Sequence, residues 1–286
     1  MTEVQTVTIA CCQLSPAIGD REETWRRIAA AVSTAAARGA NVVVLPELAN
    51  CGYIFSGPEE LANAAEPADG ATIRRLTELA RHHNLIVVSG FAERGQDGAV
   101  YNSAALIDPT GTRAIYRKAH LWGDEAARGF TPGSDLPPAV DTSHGRIAIM
   151  VCYDLEFPEW VRLAALTGAD LLCAPVNWPL FPRPAGERPG EIIRVQADAA
   201  TNRLVIAAAD RAGDERGQRW LGGSVIVDAD GYPLTPELLD TEGMILATVD
   251  VATSRDKRIG EHNEVHADRR PELYRQLLPP AEEKIR

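Results

Sequence analysis

Short apolar runs rich in β-branched residues alternate along the chain with longer stretches of helical period. TVTIACCQL (6–14) reads as a first strand, and ETWRRIAAAVSTAAARG (23–39) as a helix closed by Gly39. NVVVLPE (41–47) is a second, fully apolar strand, and a helix near 70–83 ends at HHN. LIVVSGFAE (85–93), YNSAALIDP (101–109) and TRAIYRKAHL (112–121) follow as strands, the last two joined by a Pro/Gly turn as a hairpin.

The pattern then repeats in outline. GRIAIMVCYD (145–154) is a strand and FPEWVRLAALTG (157–168) a helix with Pro158 in its first turn. ADLLCAPVNW (169–178) is a strand, EIIRVQADAATNR (191–203) a helix, and LVIAAAD (204–210) a strand. GGSVIVDADGYPL (222–234) and GMILATVDV (243–251) supply two more strands. Several strands lack polar alternation, which predicts sheets covered on both faces, by helices on one side and a second sheet on the other. Residues 110–140 form the richest loop region, and 179–190, with four prolines and two glycines, a second surface loop. The expected division is a domain over 1–252 and a charged C-terminal extension over 253–286, packed on the domain or on a partner subunit.

Composition narrows the function classes. The chain has 286 residues, 45% hydrophobic and 24% charged, which fits a globular protein with a substantial core. A formal charge of −11 opposes binding to nucleic acid or to an anionic membrane surface. No run reaches the roughly 20 apolar residues of a membrane span, and MTEVQTVTIACCQL has no signal-peptide pattern, so a cytoplasmic protein is expected. Five cysteines without a CxxC pair indicate neither a disulfide framework nor a metal site.

Three reactive residues stand at three strand ends. Glu47 closes VVVLPE, where burial would raise its pKa and suit it to general acid–base work; the plainer reading is a capping or surface glutamate. Lys118, in YRKAHLW, is either a snorkelling edge-strand lysine or a fixed charge that stabilises a thiolate and an oxyanion. Cys152, in IMVCYDLEFPE, is either a small core hydrophobe or a nucleophile at a strand-to-helix elbow, with the Tyr153 N–H beside it as an oxyanion donor. A Cys–His couple is weaker, since only His120 lies near a candidate site. A thiol redox sensor would need Cys173 to resolve Cys152, and LLCAP reads as core.

LPELANCGY (45–53), YRKAHLW (116–122) and CYDLEFPE (152–159) resemble the three signature regions of the nitrilase superfamily of carbon–nitrogen hydrolases. FTPG (130–133) and GADLLCAPVNWP (168–179) are similar to further landmarks of that family. The resemblance implies an α/β fold, a four-layer αββα sandwich of two mostly antiparallel or mixed sheets with helices outside, and pairing into a homodimer or higher oligomer. It makes Glu47 the general base and acid, Lys118 the oxyanion and thiolate stabiliser, and Cys152 the nucleophile, with no cofactor or metal. It also places a second glutamate shortly before the FxPG segment. GDEAARGFTPG offers Glu125, with Asp124 beside it, one residue off the commonest spacing. CYDLEFPE resembles the amidase and carbamoylase branches, so the expected activity is hydrolysis of a small carboxamide to acid and ammonia through a thioester. An N-carbamoyl-amine hydrolase ranks second and a nitrilase third. Tyr53, Trp122, Asn177 and Trp178, just past strand ends, are the candidate substrate-binding residues, with core or interface packing as the alternative for the aromatics.

Overall fold

The computed structural model describes residues 4–275. The elements run β1 (Thr6–Gln13), α1 (Arg21–Ala37), β2 (Val42–Val44), α2 (Pro58–Ala64), α3 (Ala71–His83), β3 (Ile86–Arg94), β4 (Val100–Asp108) and β5 (Gly111–Arg117). Then come α4 (Glu125–Arg128), β6 (Ala139–Thr142), β7 (Gly145–Ile149), a 3-10 turn (Cys152–Glu156), α5 (Pro158–Leu166), β8 (Leu171–Pro175) and α6 (Gly190–Asn202). The chain continues through β9 (Val205–Ala209), β10 (Asp214–Glu215), β11 (Gln218–Arg219), β12 (Val225–Val227), β13 (Gly243–Asp250), a second 3-10 turn (Val251–Arg255) and α7 (Pro271–Tyr274).

Two sheets carry the architecture. The first has the order β13-β1-β2-β3-β4-β5 and the second β12-β9-β8-β7-β6. β1, β2 and β3 are parallel at the heart of the first sheet, as are β7, β8 and β9 in the second; the flanking strands are antiparallel. This matches the expected αββα sandwich of mixed sheets.

The lack of polar alternation has a direct cause. In β2, Val42 and Val44 face the second sheet, while Val43 packs outward among residues of α1 and α3. β1 divides in the same way, with Val7, Ile9 and Cys11 between the sheets and Ala10 and Cys12 under the helices. Ile192, Val195 and Ala199 of α6 and Val161 and Ala164 of α5 cover the second sheet. Each fully buried valine contributes on the order of 1.5–3 kcal/mol, so a three-residue strand with no exposed face is well anchored. Asp20 caps α1 by accepting the Glu23 N–H at 3.0 Å, and Asn84 ends α3 in the left-handed region, with φ 51°.

Several sequence-read strands stop earlier in the structure. The 41–47 run ends as a strand at Val44, 112–121 at Arg117, and 145–154 at Ile149. The apolar residues beyond those points are buried without ladder pairing, and hydrophobicity alone does not separate the two states. The 110–140 region holds β5, α4 and the start of β6, and α2 and the β10–β11 hairpin lacked a clear period. In the C-terminal extension, Arg255 pairs with Asp170 at 2.8 Å. The Lys257 ammonium donates to the carbonyls of Asn202 and Arg203 at the end of α6 (3.1 and 2.8 Å), and Arg162 donates to the Val265 carbonyl (3.2 Å). Residues 276–286 of that extension lie outside the described residues. No helix among the described residues is long and apolar enough to cross a membrane.

One close approach couples the core to the chain after β2. Gly90 in β3 lies so near that turn that an added Cβ would sit 2.6 Å from Glu47 Cα, Leu48 N and the Pro46 carbonyl. The Gly90 N–H donates to the Pro46 carbonyl and its own carbonyl accepts the Ala49 N–H, at 3.1 and 3.0 Å. Gly90→Ala therefore cannot be accommodated without moving backbone. A loss of about 1–3 kcal/mol in unfolding free energy is expected, read by denaturant titration. An unchanged midpoint would show that the turn yields freely.

Candidate active site

β2, β5 and β7 each deliver one reactive residue just beyond their last paired position. Glu47 lies three residues past β2, in a turn where Leu48 adopts φ 48° and the Glu47 N–H reaches across to the Val176 carbonyl at 3.2 Å. Lys118 follows β5 directly, its N–H donating to the Asn102 carbonyl and its carbonyl accepting the Gly133 N–H, both at 2.8 Å. A Cβ at Gly133 would collide with the Arg117 backbone, which is why FTPG carries glycine there. Cys152 opens the 3-10 turn at φ 44°, in the left-handed region, a strained placement for a non-glycine residue. That bend turns the chain out of β7 and presents the thiol.

The three side chains meet. The Lys118 ammonium donates to Glu47 Oε1 at 2.7 Å and to both Glu125 oxygens at 2.8 and 3.1 Å. Glu125, in α4, is thereby the second carboxylate, whereas Asp124 is mostly exposed and pairs with Arg128. Glu125 also accepts the Tyr53 hydroxyl and the Trp122 N–H, each at 2.7 Å. Asn102 of β4 ties the two carboxylates together, its amide donating to Glu47 at 2.6 Å and to Glu125 at 3.0 Å. The Asn177 N–H points at Cys152 Sγ from 3.5 Å. Glu47, Lys118 and Cys152 are all buried, at 0%, 1% and 7% exposure.

Burial and charge set the protonation states. Burial pushes the Glu47 carboxyl above the ordinary range, opposed by the Lys118 ammonium. Burial works against charge on Lys118, but Glu125 and Glu47 outweigh it and hold the amine protonated well past its usual range. The Cys152 thiol is pushed well up by burial and then by Glu47, which together exceed the opposing effects of Lys118 and the Asn177 N–H. At rest the group therefore holds a neutral thiol and a charged lysine beside a Glu47 carboxyl whose affinity for a proton is raised.

A second network fastens the lysine loop to the cysteine elbow. Asp154, fully buried, accepts the Tyr116 hydroxyl (2.8 Å), the His120 N–H (3.1 Å) and the Val151 N–H (3.3 Å), and its Oδ1 lies 2.7 Å from His120 Nδ1. Trp160 donates its indole N–H to the same tyrosine oxygen at 2.8 Å. Asp210, which ends the LVIAAAD run, holds the next turn by accepting the N–H groups of Trp178 (2.9 Å), Arg211 (2.8 Å) and Gly223 (2.7 Å).

Four residues were expected to bind substrate. Asn177 is 2% exposed beside the thiol, and neither its side-chain oxygen nor its nitrogen has a hydrogen-bond partner. Trp122 is half-buried, with its ring 4.9 Å from that of Tyr153. Trp178 is buried. Tyr53 sits behind Glu125 with its hydroxyl committed there, and its ring packs edge-on against Trp220 at 5.4 Å. Sequence reasoning missed Asn102, Tyr116 and Asp210. The available signals were an amide inside a buried apolar strand for Asn102 and, for Asp210, a carboxylate at a strand end, as at Glu47. A surface groove of about 1080 Å³ between α3 and β5 is lined by residues that include Arg74, Arg81, Glu93 and Arg117 and by none of those around the thiol.

The carbon–nitrogen hydrolase family model matches residues 8–259. The chain belongs to the carbon–nitrogen hydrolases. Among the relatives of this hydrolase, a nitrilase of Pyrococcus abyssi is 33% identical over 271 residues, covering 94% of this chain and 99% of its own. An (R)-stereoselective amidase of a Pseudomonas species is 34% identical over 279 residues, covering 93% and 97%. An amidase of Nesterenkonia superposes with a TM-score of 0.81 at 29% identity, covering 97% of this chain and 98% of its own. A mutant of that amidase carries the acetamide moiety of fluoroacetamide on its active-site cysteine.

If the Asp154 network sets the distance between Lys118 and Cys152, Asp154→Ala should cost stability and activity together. Loss of three acceptor contacts at a buried site predicts destabilisation on the order of 3 kcal/mol. Asp154→Asn keeps acceptor capacity and should retain more stability while lowering turnover. Thermal melts and steady-state kinetics on both variants check this, and wild-type turnover in Asp154→Ala would refute it.

Proposed function

We propose that this hydrolase is a cysteine-dependent amidase that converts a small carboxamide to its acid and ammonia through a thioester. The observation that carries the reading is one buried ammonium held between two carboxylates beside a cysteine on a strained elbow. The amidases among its similar proteins, one of them a mutant with the acetamide moiety of fluoroacetamide added covalently to its active-site cysteine, support it.

The chemistry follows from the proton inventory. Lys118 stays charged, so it is not the base; Glu47 is. As the thiol attacks the amide carbon, its proton passes to Glu47, an S–C bond forms and the carbonyl electrons move to oxygen. The Lys118 ammonium donates to Glu47 Oε1 and to both Glu125 oxygens; its longest bond, 3.1 Å to Glu125 Oε2, is read as the one released so that an N–H can serve the oxyanion together with the Tyr153 N–H. The Glu47 proton then goes to the amine nitrogen, the C–N bond breaks, and ammonia leaves a thioester on Cys152. Water next gives a proton to Glu47 and its oxygen to the thioester carbon. The C–S bond breaks, and the proton returns to sulfur as the acid departs. Because the resting thiol is neutral, attack and proton transfer to Glu47 are coupled, and Lys118 acts chiefly on the oxyanion rather than by storing a thiolate.

Glu125 is read as a positioning residue that orients Lys118, and Tyr53 as its support. Asn177 faces the substrate amide, with Trp122 and Trp178 as walls. We further infer a homo-oligomer paired through α5 and α6, because Leu163, Leu166 and Ile193 stand exposed there. A reducing, cytoplasmic setting agrees with the five free cysteines.

An ammonia-release assay over amides, nitriles and carbamoyl compounds tests the reading. Cys152→Ala should abolish release, by about a thousandfold or more, and wild type quenched during turnover should show a thioester-sized mass gain on the peptide holding Cys152. Nitrile-only activity would reverse the assignment. With the Glu47 carboxyl raised by burial, kcat/KM should fall on acidification, because protonated Glu47 cannot accept the thiol proton. The midpoint should lie above the ordinary glutamate value of about 4.3. A flat acid limb down to that value would exclude Glu47 as base.

A further inference from the structure

A row of aromatic rings leads from the thiol to the protein surface, and we propose that it selects neutral amides whose acyl chain ends in an aryl group. The inference rests on the amidase reading above and names the substrate class. Tyr153 follows the nucleophile directly, and its ring stands 4.9 Å from Trp122 and 5.2 Å from Phe157, edge-on to both. Trp122 in turn lies 6.5 Å from Phe181. The backbone of Trp122 is pinned inside the site by its N–H bond to Glu125, while its ring is half-buried. Phe181 is 50% exposed at the start of the Pro-rich 179–190 loop, four residues beyond Asn177, whose N–H touches Cys152 Sγ. One end of the row therefore begins beside the reacting atom, and the other opens to solvent.

Phe157 shows what such a surface accepts: the His120 ring stacks on it at 3.8 Å, nearly parallel. The outer part, Trp122 and Phe181, has edge-to-face ring contacts only and retains exposed area. An aryl group there would gain contact area and ring–ring attraction. Several charged groups flanking the row are already ion-paired. His120 is paired with Asp154, Asp124 with Arg128 and Glu156 with Arg194. Arg183, two residues past Phe181, turns back to its own loop by donating to the Glu187 carbonyl at 3.2 Å. Asn177, with both amide atoms buried and unpartnered, serves the carboxamide end of the same ligand.

Ammonia release by the purified full-length protein tests this with 3-phenylpropanamide, butanamide and 6-aminohexanamide. The expected kcat/KM for the aryl amide exceeds each of the others by about tenfold, the size of one well-made aromatic contact. Phe181→Ala, on an exposed side chain that the fold tolerates losing, and Trp122→Leu should each shrink that ratio to about threefold or less. A ratio near one in wild type, preference for the cationic amide, or a ratio unchanged in both variants would overturn the proposal while leaving the amidase reading intact. Absence of Cys152-dependent ammonia from every amide would sink both.

Discussion

A single buried cation organises this protein. The Lys118 ammonium, 1% exposed, bonds Glu47 and Glu125 at once, and its charge opposes the rise that burial imposes on the Glu47 carboxyl. Burying a charge costs several kcal/mol unless geometry and extra hydrogen bonds offset it. Here Asn102 bridges the two acids, and Tyr53 and the Trp122 N–H fill further acceptor positions on Glu125. One Glu47 oxygen is left without a hydrogen-bond partner, next to a thiol close enough to share its ionisation.

The surrounding fold keeps those charges at fixed separation. Two sheets, each with three parallel strands at its centre, place their strand ends in one region, so residues distant in sequence meet there. Asp154 then joins the loop after β5 to the elbow after β7, and Asp210 secures the turn carrying Trp178. In the proposed mechanism, Glu47 and Lys118 reconcile a Cys152 thiol that is protonated at rest with nucleophilic attack. Its proton has a nearby acceptor in Glu47, and the charge that develops during attack falls on an oxygen that Lys118 can reach.

Long or strongly patterned features were legible in the chain. The helices over 23–39 and 191–203 and the buried runs of β1, β2 and β9 carry clear periods and punctuation, and their placement agrees with the structure. Glu47, Lys118 and Cys152 each stood at the end of a readable apolar run. Glu125 was picked out by its place before FTPG, and its carboxylate lies within hydrogen-bond distance of the Lys118 ammonium. Short elements such as α2, α4 and the β10–β11 hairpin were not legible, because a handful of residues shows no period.

The sequence by itself determined which runs are apolar enough to need burial on both faces and which reactive side chains stand near their ends. It could not determine contacts between those ends. That Asn102 spans two carboxylates, that Tyr53 faces Glu125, and that Asp154 links two loops depend on sheet order and register, which follow from packing across the whole molecule. Ionisation was likewise a tertiary matter. Lys118 alone would lower a neighbouring thiol's pKa, yet burial and Glu47 reverse that at Cys152, and only the assembled site shows which effect prevails.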